Sequence, residues 1–267
     1  MVRLPGGIRP RKRLDQYFLT DDRILRREVD LAELARSDVV LEIGAGNGSL
    51  TRMIAERAKK VIAVEKDPRL AAFLSRNCPG NVDLLEGDAL DLDFPSFNKA
   101  MGNPPYSISS PLIFKLLDYE FELGVFTFQY EFAQRMVAKP GTDDYSRLSV
   151  MLALTTRKIS LEMIVPRRAF SPAPEVDSAI VVLVPKNAPR PDAVSAEIIR
   201  MLFCHKRKTL ANAIRDSDGE LRRLFGIGSS EVLKAIQTDW STRVYRMTPE
   251  EIMAFSGDFH GLMTGGT

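Results

Sequence analysis

Asn103-Pro104-Pro105-Tyr106 brings together a side-chain amide, two rigid prolines and an aromatic ring, and it closes the short stretch Lys99-Ala100-Met101-Gly102. Such residues make a platform for a planar ring that carries an exocyclic amine. The Asn103 amide oxygen and the Pro104 carbonyl can accept hydrogens from an NH2 group, and Tyr106 can stack on the ring. Proline fixes φ and lacks a backbone donor, so the acceptors are held in place before a ligand arrives. Alone, a tetrapeptide of this kind is more often a surface turn. What precedes it in the chain shifts the weight toward chemistry.

Upstream lies Glu42-Ile43-Gly44-Ala45-Gly46-Asn47-Gly48, directly after the apolar run Val39-Val40-Leu41. Glycines at a strand-to-helix turn let a ligand approach the backbone without hindrance from Cβ atoms. The dinucleotide fingerprint places its third glycine three residues after the second, where this chain has Ser49. Here the third glycine comes earlier, at Gly48, a spacing that favours S-adenosylmethionine over a pyrophosphate-bearing dinucleotide. Glu65 closes the next apolar run, where a carboxylate can accept both ribose hydroxyls. Asp88, in Glu86-Gly87-Asp88-Ala89, can accept from the adenine amine of the cofactor. Each acid singly is as readily a solvated strand end. Such turns at consecutive strand ends define one crevice, where open α/β sheets bind ligands. The chemistry expected is transfer of a methyl group to an amine nitrogen. No metal is expected: the histidines are His205 and His260 alone, and Cys78 and Cys204 are too isolated for a metal site or a disulfide framework.

These residues need a scaffold. From Ser37 to Pro185 short apolar strands alternate with amphipathic helical stretches, the pattern of a parallel sheet covered on both faces. Strands are expected at Val39–Ile43, Val61–Glu65, Val82–Leu85, residues 99–102 and Val125–Phe128, with a closing pair at Ile159–Val165 and Ala179–Val184. One helix follows Gly48 with Leu50, Met53 and Ile54 on one face, and another opens at Pro68, where proline is well tolerated. Pro185-Lys186-Asn187-Ala188-Pro189-Arg190-Pro191 has the composition of a linker. Beyond it helical periodicity takes over at about 194–215, 219–225, 229–237 and 249–256. The fold class predicted is α/β, a Rossmann-like class I methyltransferase sheet at 37–187, preceded by an arm at 1–36 and followed by a small all-helical domain at 188–267.

The length of 267 residues suits that plan, and 45% hydrophobic with 27% charged residues is ordinary for a globular protein. A net charge of +2 is too mild to imply an acidic partner, but its distribution is uneven. Arg3, Arg9, Arg11, Lys12 and Arg13 precede Asp15 with no acid among them. His205-Lys206-Arg207-Lys208 reads as the opening of a helix continuing to Arg215. A basic run is usually a solvated face. Beside a base-handling pocket, phosphate contact is the stronger reading. No apolar run reaches membrane-spanning length and no signal-peptide core is visible, so a cytoplasmic protein is expected.

With these residues assembled, the chain resembles the KsgA-type ribosomal RNA adenine dimethyltransferases over nearly its whole length. Lys12-Arg13-Leu14-Asp15-Gln16-Tyr17-Phe18-Leu19 is similar to the family's cofactor lid. Glu42 to Gly48, Glu65 and Asp88 match its cofactor motifs, and Asn103 to Tyr106 its catalytic motif. Phe170-Ser171-Pro172-Ala173-Pro174-Glu175-Val176-Asp177-Ser178 resembles its second substrate-side motif. Arg135 to Gly141 and Tyr145 to Ser149 are similar to a family helix-loop-helix, and Phe203 to Leu210 with Asn212 to its carboxy-terminal basic helix. The family usually has glycine where Asp15 stands and leucine where Pro104 stands. Asp tolerates left-handed φ better than most residues, so a similar lid turn is open to it.

The resemblance implies transfer of methyl groups from S-adenosylmethionine to N6 of two adjacent adenines near the 3′ end of small-subunit rRNA. It also implies a monomer acting on a pre-ribosomal small subunit, with a part in late assembly. The expected cofactor contacts are Tyr17, Leu19, Gly44, Gly46, Glu65, Asp88 and Asn103. Asn103, Pro104, Tyr106 and Phe170 are expected to handle the base, and Arg11, Lys12, Arg13, Lys206, Arg207 and Lys208 the RNA. The rival readings are the same chemistry on large-subunit rRNA or DNA, and a non-enzymatic assembly factor that keeps the fold.

Overall fold

The computed structural model describes residues 8–186 and 190–264, without the side chains of Lys12 and Thr264. Arg3 and the centre of the expected linker, residues 187–189, therefore lie outside the described residues, as does the role expected of the Lys12 side chain. The chain forms two compact units. One takes Met1–Gln134 and Arg157–Asn187, the other Arg135–Thr156 and Ala188–Thr267.

The first unit begins with a two-residue strand, β1 (Phe18–Leu19), and helix α1 (Asp22–Leu31). Asp21 caps α1 by accepting from the Arg23 N–H, and the helix buries Ile24, Leu25, Glu28 and Val29. Then come β2 (Val39–Ile43), α2 (Ser49–Ala55), β3 (Lys60–Glu65), α3 (Pro68–Asn77), β4 (Val82–Glu86), β5 (Lys99–Gly102), α4 (Ser109–Leu116) and β6 (Leu123–Gln129). Proline opens α3 at its first turn, with Asp67 as the cap. After the excursion into the second unit the chain returns through β7 (Thr156–Val165), β8 (Phe170–Ser171) and β9 (Ser178–Pro185).

The main sheet has the order β4-β3-β2-β5-β6-β9-β7. The pairings from β4 to β6 are parallel and β9 runs antiparallel to β6. All four residues of β5 are buried, as a strand covered on both faces requires. From β2 the chain steps outward to β3 and β4 on one side, then returns to place β5 on the other. Sheet order thus reverses between β2 and β5, and a ligand crevice belongs beyond their carboxyl ends. The register sets Ile43 opposite Gly102, so Gly44 and Asn103 leave the sheet side by side. Gly102 has φ +148°, and a Cβ there would lie 2.3 Å from the Ile43 carbonyl oxygen. Only glycine lets the two strands meet at this point. A separate two-stranded ribbon pairs β1 with β8, Phe18 opposite Ser171 and Leu19 opposite Phe170.

The second unit is helical: α6 (Arg147–Thr155), α7 (Ala193–Cys204), α8 (Leu210–Asp216), α9 (Asp218–Phe225), α10 (Ser229–Ala235) and α11 (Pro249–Thr264), with α5 (Tyr130–Val137) crossing the boundary between units. Composition alone places one boundary near 188, whereas the fold also draws residues 135–156 into this unit. The reason is apolar packing. α6 buries Leu148, Val150, Met151 and Leu152 and packs on α7 and α11. The Tyr145 ring stands edge-on to Phe203 at 5.5 Å, and its hydroxyl donates to the Met247 carbonyl at 3.0 Å.

The single helix expected at 194–215 is two. α7 stops at Cys204, and the Thr209 hydroxyl caps α8 by accepting from the Asn212 N–H. His205 to Lys208 form the turn between them instead of opening a helix. Lys206 holds that turn, its ammonium donating to the carbonyls of Asp143 at 2.8 Å and Tyr145 at 3.1 Å.

Candidate active site

Beyond β2 the chain turns at once into α2 through Gly44, Ala45, Gly46, Asn47 and Gly48. The Gly46 N–H donates to one Glu65 oxygen at 2.8 Å, and the Asp67 N–H donates to the other at 2.8 Å. Glu65 thereby ties the end of β3 to the glycine turn. A Cβ on Gly46 would lie 3.1 Å from the Phe18 ring, so glycine at this position lets the lid strand lie close over the turn. Asp88 pairs with the Lys66 ammonium and accepts from the Leu90 N–H at 3.0 Å. The Lys66 hydrogen bond holds the Asp88 carboxyl below the usual carboxylate range.

Asn103 leaves β5 with its amide in a defined orientation. Nδ2 donates to a Glu28 oxygen at 3.2 Å, while Oδ1 is buried and has no hydrogen-bond partner. Pro104 behind it is buried. The Tyr106 hydroxyl shares a 2.6 Å hydrogen bond with Ser178 at the start of β9, and burial lifts its pKa to about 12. One face of the Tyr106 ring is covered by Tyr17, stacked at 5.6 Å between centroids with 21° between planes. Phe170 is buried on β8, at the rim formed by the β1–β8 ribbon.

The lid is anchored by polar contacts that sequence patterns do not show. Asp15 adopts φ +52°, and its carboxylate accepts from the Ser107 N–H at 3.0 Å. Aspartate thus fills the left-handed position usually given to glycine and adds a bond that glycine lacks. Gln16 donates to Asp67 at 3.0 Å and accepts from the Arg11 N–H at 2.8 Å. Arg69 dominates among the groups that hold the Asp67 carboxyl well below the usual range, with Gln16 contributing.

One crevice is lined by Tyr17, Leu19, Gly44, Gly46, Glu65, Asp88, Asn103, Pro104, Tyr106 and Phe170, so the residues singled out for cofactor and base meet in one place. Arg13 is exposed at its edge. Arg11 lies 4.0 Å from Asp67 and is engaged with the lid anchor. In the second unit Lys206 is spent on backbone carbonyls and Lys208 pairs with Asp216. Arg207 is exposed beside a shallow hollow shared with Arg243 and Tyr245.

The crevice suits a cationic ligand with a purine nucleoside. Glu42 is buried at its floor with Oε2 unpartnered, and burial raises its pKa to about 8, with the Glu28 and Glu65 charges adding. Glu65 is likewise raised by burial. Buried carboxyls that resist ionisation gain when a positive charge settles beside them. Among the described residues no group of His, Cys, Asp and Glu could hold a metal ion.

Two residues of the site escape the motif reading, Glu28 and Thr127. Burial pushes the Glu28 pKa to about 7, and its second oxygen accepts from the Thr127 hydroxyl. A signal for Glu28 was available. It falls with Ile24, Leu25 and Val29 on the core face of α1, where helical periodicity leaves an acid among apolar residues.

The profile of the family described as "Ribosomal RNA adenine dimethylase" matches residues 7–248. A protein of Thermococcus onnurineus named "Probable ribosomal RNA small subunit methyltransferase A" is 44% identical over 252 residues, spanning 92% of this chain and 91% of its own. One of the same name from Methanosarcina acetivorans is 46% identical over 244 residues, 89% of each. Among solved structures, a dimethyladenosine transferase from Plasmodium falciparum superposes with TM-score 0.80 at 31% identity, covering 91% of this chain and 97% of that one. The 23S rRNA methyltransferase ErmE gives TM-score 0.63 at 27% identity, covering 91% and 99%.

Proposed function

The chain belongs to the ribosomal RNA adenine dimethylase family, with its class I methyltransferase fold and S-adenosylmethionine as methyl donor, and from that premise we propose that it dimethylates N6 of two adjacent adenines near the 3′ end of small-subunit rRNA. The substrate is a pre-ribosomal small subunit, and the modification belongs to its late assembly. Support for the small subunit comes from the names of the relatives at 44% and 46% identity. The lower similarity to the 23S rRNA methyltransferase ErmE than to the dimethyladenosine transferase weighs against the large-subunit reading.

The observation that carries the chemistry is Asn103 Oδ1, buried, without a partner, and placed where β2 and β5 part. An adenine amine is a poor nucleophile because its lone pair is delocalised into the ring. Accepting its hydrogens through Asn103 Oδ1 and the Pro104 carbonyl biases the nitrogen toward sp3 and aims the lone pair. When bound, S-adenosylmethionine would supply a methyl group from a sulfonium whose thioether leaves readily, and the N6 proton given up would pass to solvent. The residues that would hold it are Tyr17, Leu19, Gly44, Gly46, Glu65 and Asp88. Alignment of this kind is worth about 7–11 kcal/mol of barrier. The target base must leave its stack, at a cost of a few kcal/mol. Stacking on Tyr106 and Phe170 offsets this by about 1–3 kcal/mol per base.

Arg13 and Arg207 are the exposed cations assigned here to RNA phosphates. Among the described residues no helix is long and apolar enough to cross a membrane. The test is incubation of under-methylated small subunits with the protein and labelled cofactor, followed by mapping of modified nucleotides by mass spectrometry. Two neighbouring dimethylated adenines near the 3′ end are expected. Label confined to large-subunit RNA, or no label, would overturn the assignment.

A further inference from the structure

We infer that Glu28 is a positioning residue for methyl transfer: held by Thr127, it fixes the Asn103 amide with Nδ2 toward the core and Oδ1 toward the reacting amine. The inference rests on the reading of Asn103 as the amine acceptor. Glu28 is 1% exposed and lies on α1, Thr127 is 1% exposed on β6, and Asn103 follows β5, the strand beside β6. Three elements therefore converge on one amide. Both Glu28 oxygens are used, one by Asn103 Nδ2 at 3.2 Å and the other by the Thr127 hydroxyl.

An asparagine amide has one accepting and one donating end of nearly equal size, so shape alone does not choose which end faces a ligand. Turned the wrong way, Asn103 would present NH2 to an NH2 and the substrate would lose its acceptor. Above its pKa of about 7 Glu28 is a carboxylate, which accepts and does not donate, so behind the amide it permits one orientation only. A hydrogen bond to an ionised acceptor is also stronger than a neutral one, and it draws electron density toward Oδ1, making that oxygen the better acceptor. Thr127 completes the device by holding the carboxyl in a single rotamer. Burial costs a carboxyl group free energy, as its elevated pKa shows. Among the described residues no cation pairs with Glu28 in return; its partners are the amide it orients and the hydroxyl that orients it.

Single-turnover methyl transfer and steady-state kcat and KM on under-methylated small subunits test this, with cofactor affinity by calorimetry on the same preparations. Glu28→Ala is expected to lower kcat by about 10–100-fold while the RNA KM and cofactor affinity stay within about twofold, the pattern of a support lost from a reacting group. Glu28→Gln is expected to recover most of that loss, since its amide oxygen accepts from Asn103 while its NH2 donates to Thr127. Thr127→Val, which keeps the shape of the site if Glu28→Ala does not fold, should lower kcat about 3–10-fold with unchanged KM. In Asn103→Ala, adding Glu28→Ala should cost nothing more, because the two act through one amide. Additive losses in that double variant, or a kcat for Glu28→Ala or Thr127→Val equal to the unmodified protein's, would overturn the inference about Glu28. Near-normal turnover in Asn103→Ala alone would instead remove the acceptor reading beneath it.

Discussion

The crevice floor sets a problem of charge that its residues resolve in opposite ways. Asp88, beside Lys66, stays ionised, whereas burial raises the Glu42 pKa to about 8, outweighing the nearby Arg52 charge. Below that value Glu42 is neutral and above it anionic. A sulfonium is cationic and the thioether left after methyl transfer is not, while the rest of the two molecules is the same. Binding of the cation therefore favours ionised Glu42 and releases its proton. Affinity for S-adenosylmethionine relative to S-adenosylhomocysteine is expected to rise between about pH 6 and pH 8, at most about tenfold per unit. Calorimetry on Glu42→Gln should show that relative gain flattened, and an identical pH dependence for both ligands in the unmodified protein would contradict the electrostatic reading.

At the residue scale most of the site could be read from the chain. Gly44 to Gly48, Glu65, Asp88 and Asn103 to Tyr106 announce themselves because their types are unusual at strand ends. Glu28, Thr127 and Gln16 did not, because each works through a partner distant in sequence: Asn103 for Glu28, Glu28 for Thr127, and Asp67 for Gln16. Only the fold brings such pairs together.

Elements fix where these residues stand. The parallel strands were legible because burial on both faces leaves continuous apolar runs such as Val39–Ile43 and Val61–Glu65. The β1–β8 ribbon was not, since two-residue strands carry no alternation. The expected helix over 194–215 failed for a local reason, because a hydroxyl cap at Thr209 and the Lys206 contacts to carbonyls outweigh the propensity of the intervening residues. The most demanding junction is Gly102 against Ile43. Gly102→Ala places a methyl group 2.3 Å from a backbone oxygen in a buried sheet. It should cost at least about 2 kcal/mol, read as a lower urea midpoint with unchanged slope, because backbone there cannot yield as a flexible side chain would. A midpoint equal to that of the unmodified protein would show that the strands part more easily than the register implies.

Across the whole molecule, the basic residues proposed to meet RNA fall in both units, Arg13 in the first and Arg207 in the second. The basic run 205–208 looked uniform in sequence, but its members differ in what they touch. Lys206 donates to two carbonyls and Lys208 pairs with Asp216, while Arg207 is exposed. Arg207→Gln is expected to reduce the salt slope of small-subunit binding by about 0.7–0.9, one phosphate contact's worth. Lys206→Met should leave that slope unchanged and lower the thermal midpoint, since two contacts to backbone carbonyls are lost. Filter binding across a salt series, with calorimetric melting of the same variants, separates the two, and the reverse pattern would return Arg207 to ordinary surface.

All three scales meet in the orphaned oxygen of Asn103, and the most direct test is the single-turnover rate of methyl transfer by Asn103→Ala with cofactor affinity measured in parallel. The account predicts a rate at least about 100-fold lower, as when one preorganised polar contact to the reacting centre is removed. Cofactor affinity should change only modestly. A near-normal rate, or a loss wholly explained by failure to bind S-adenosylmethionine, would contradict the assignment of Asn103 as the group that receives the adenine amine.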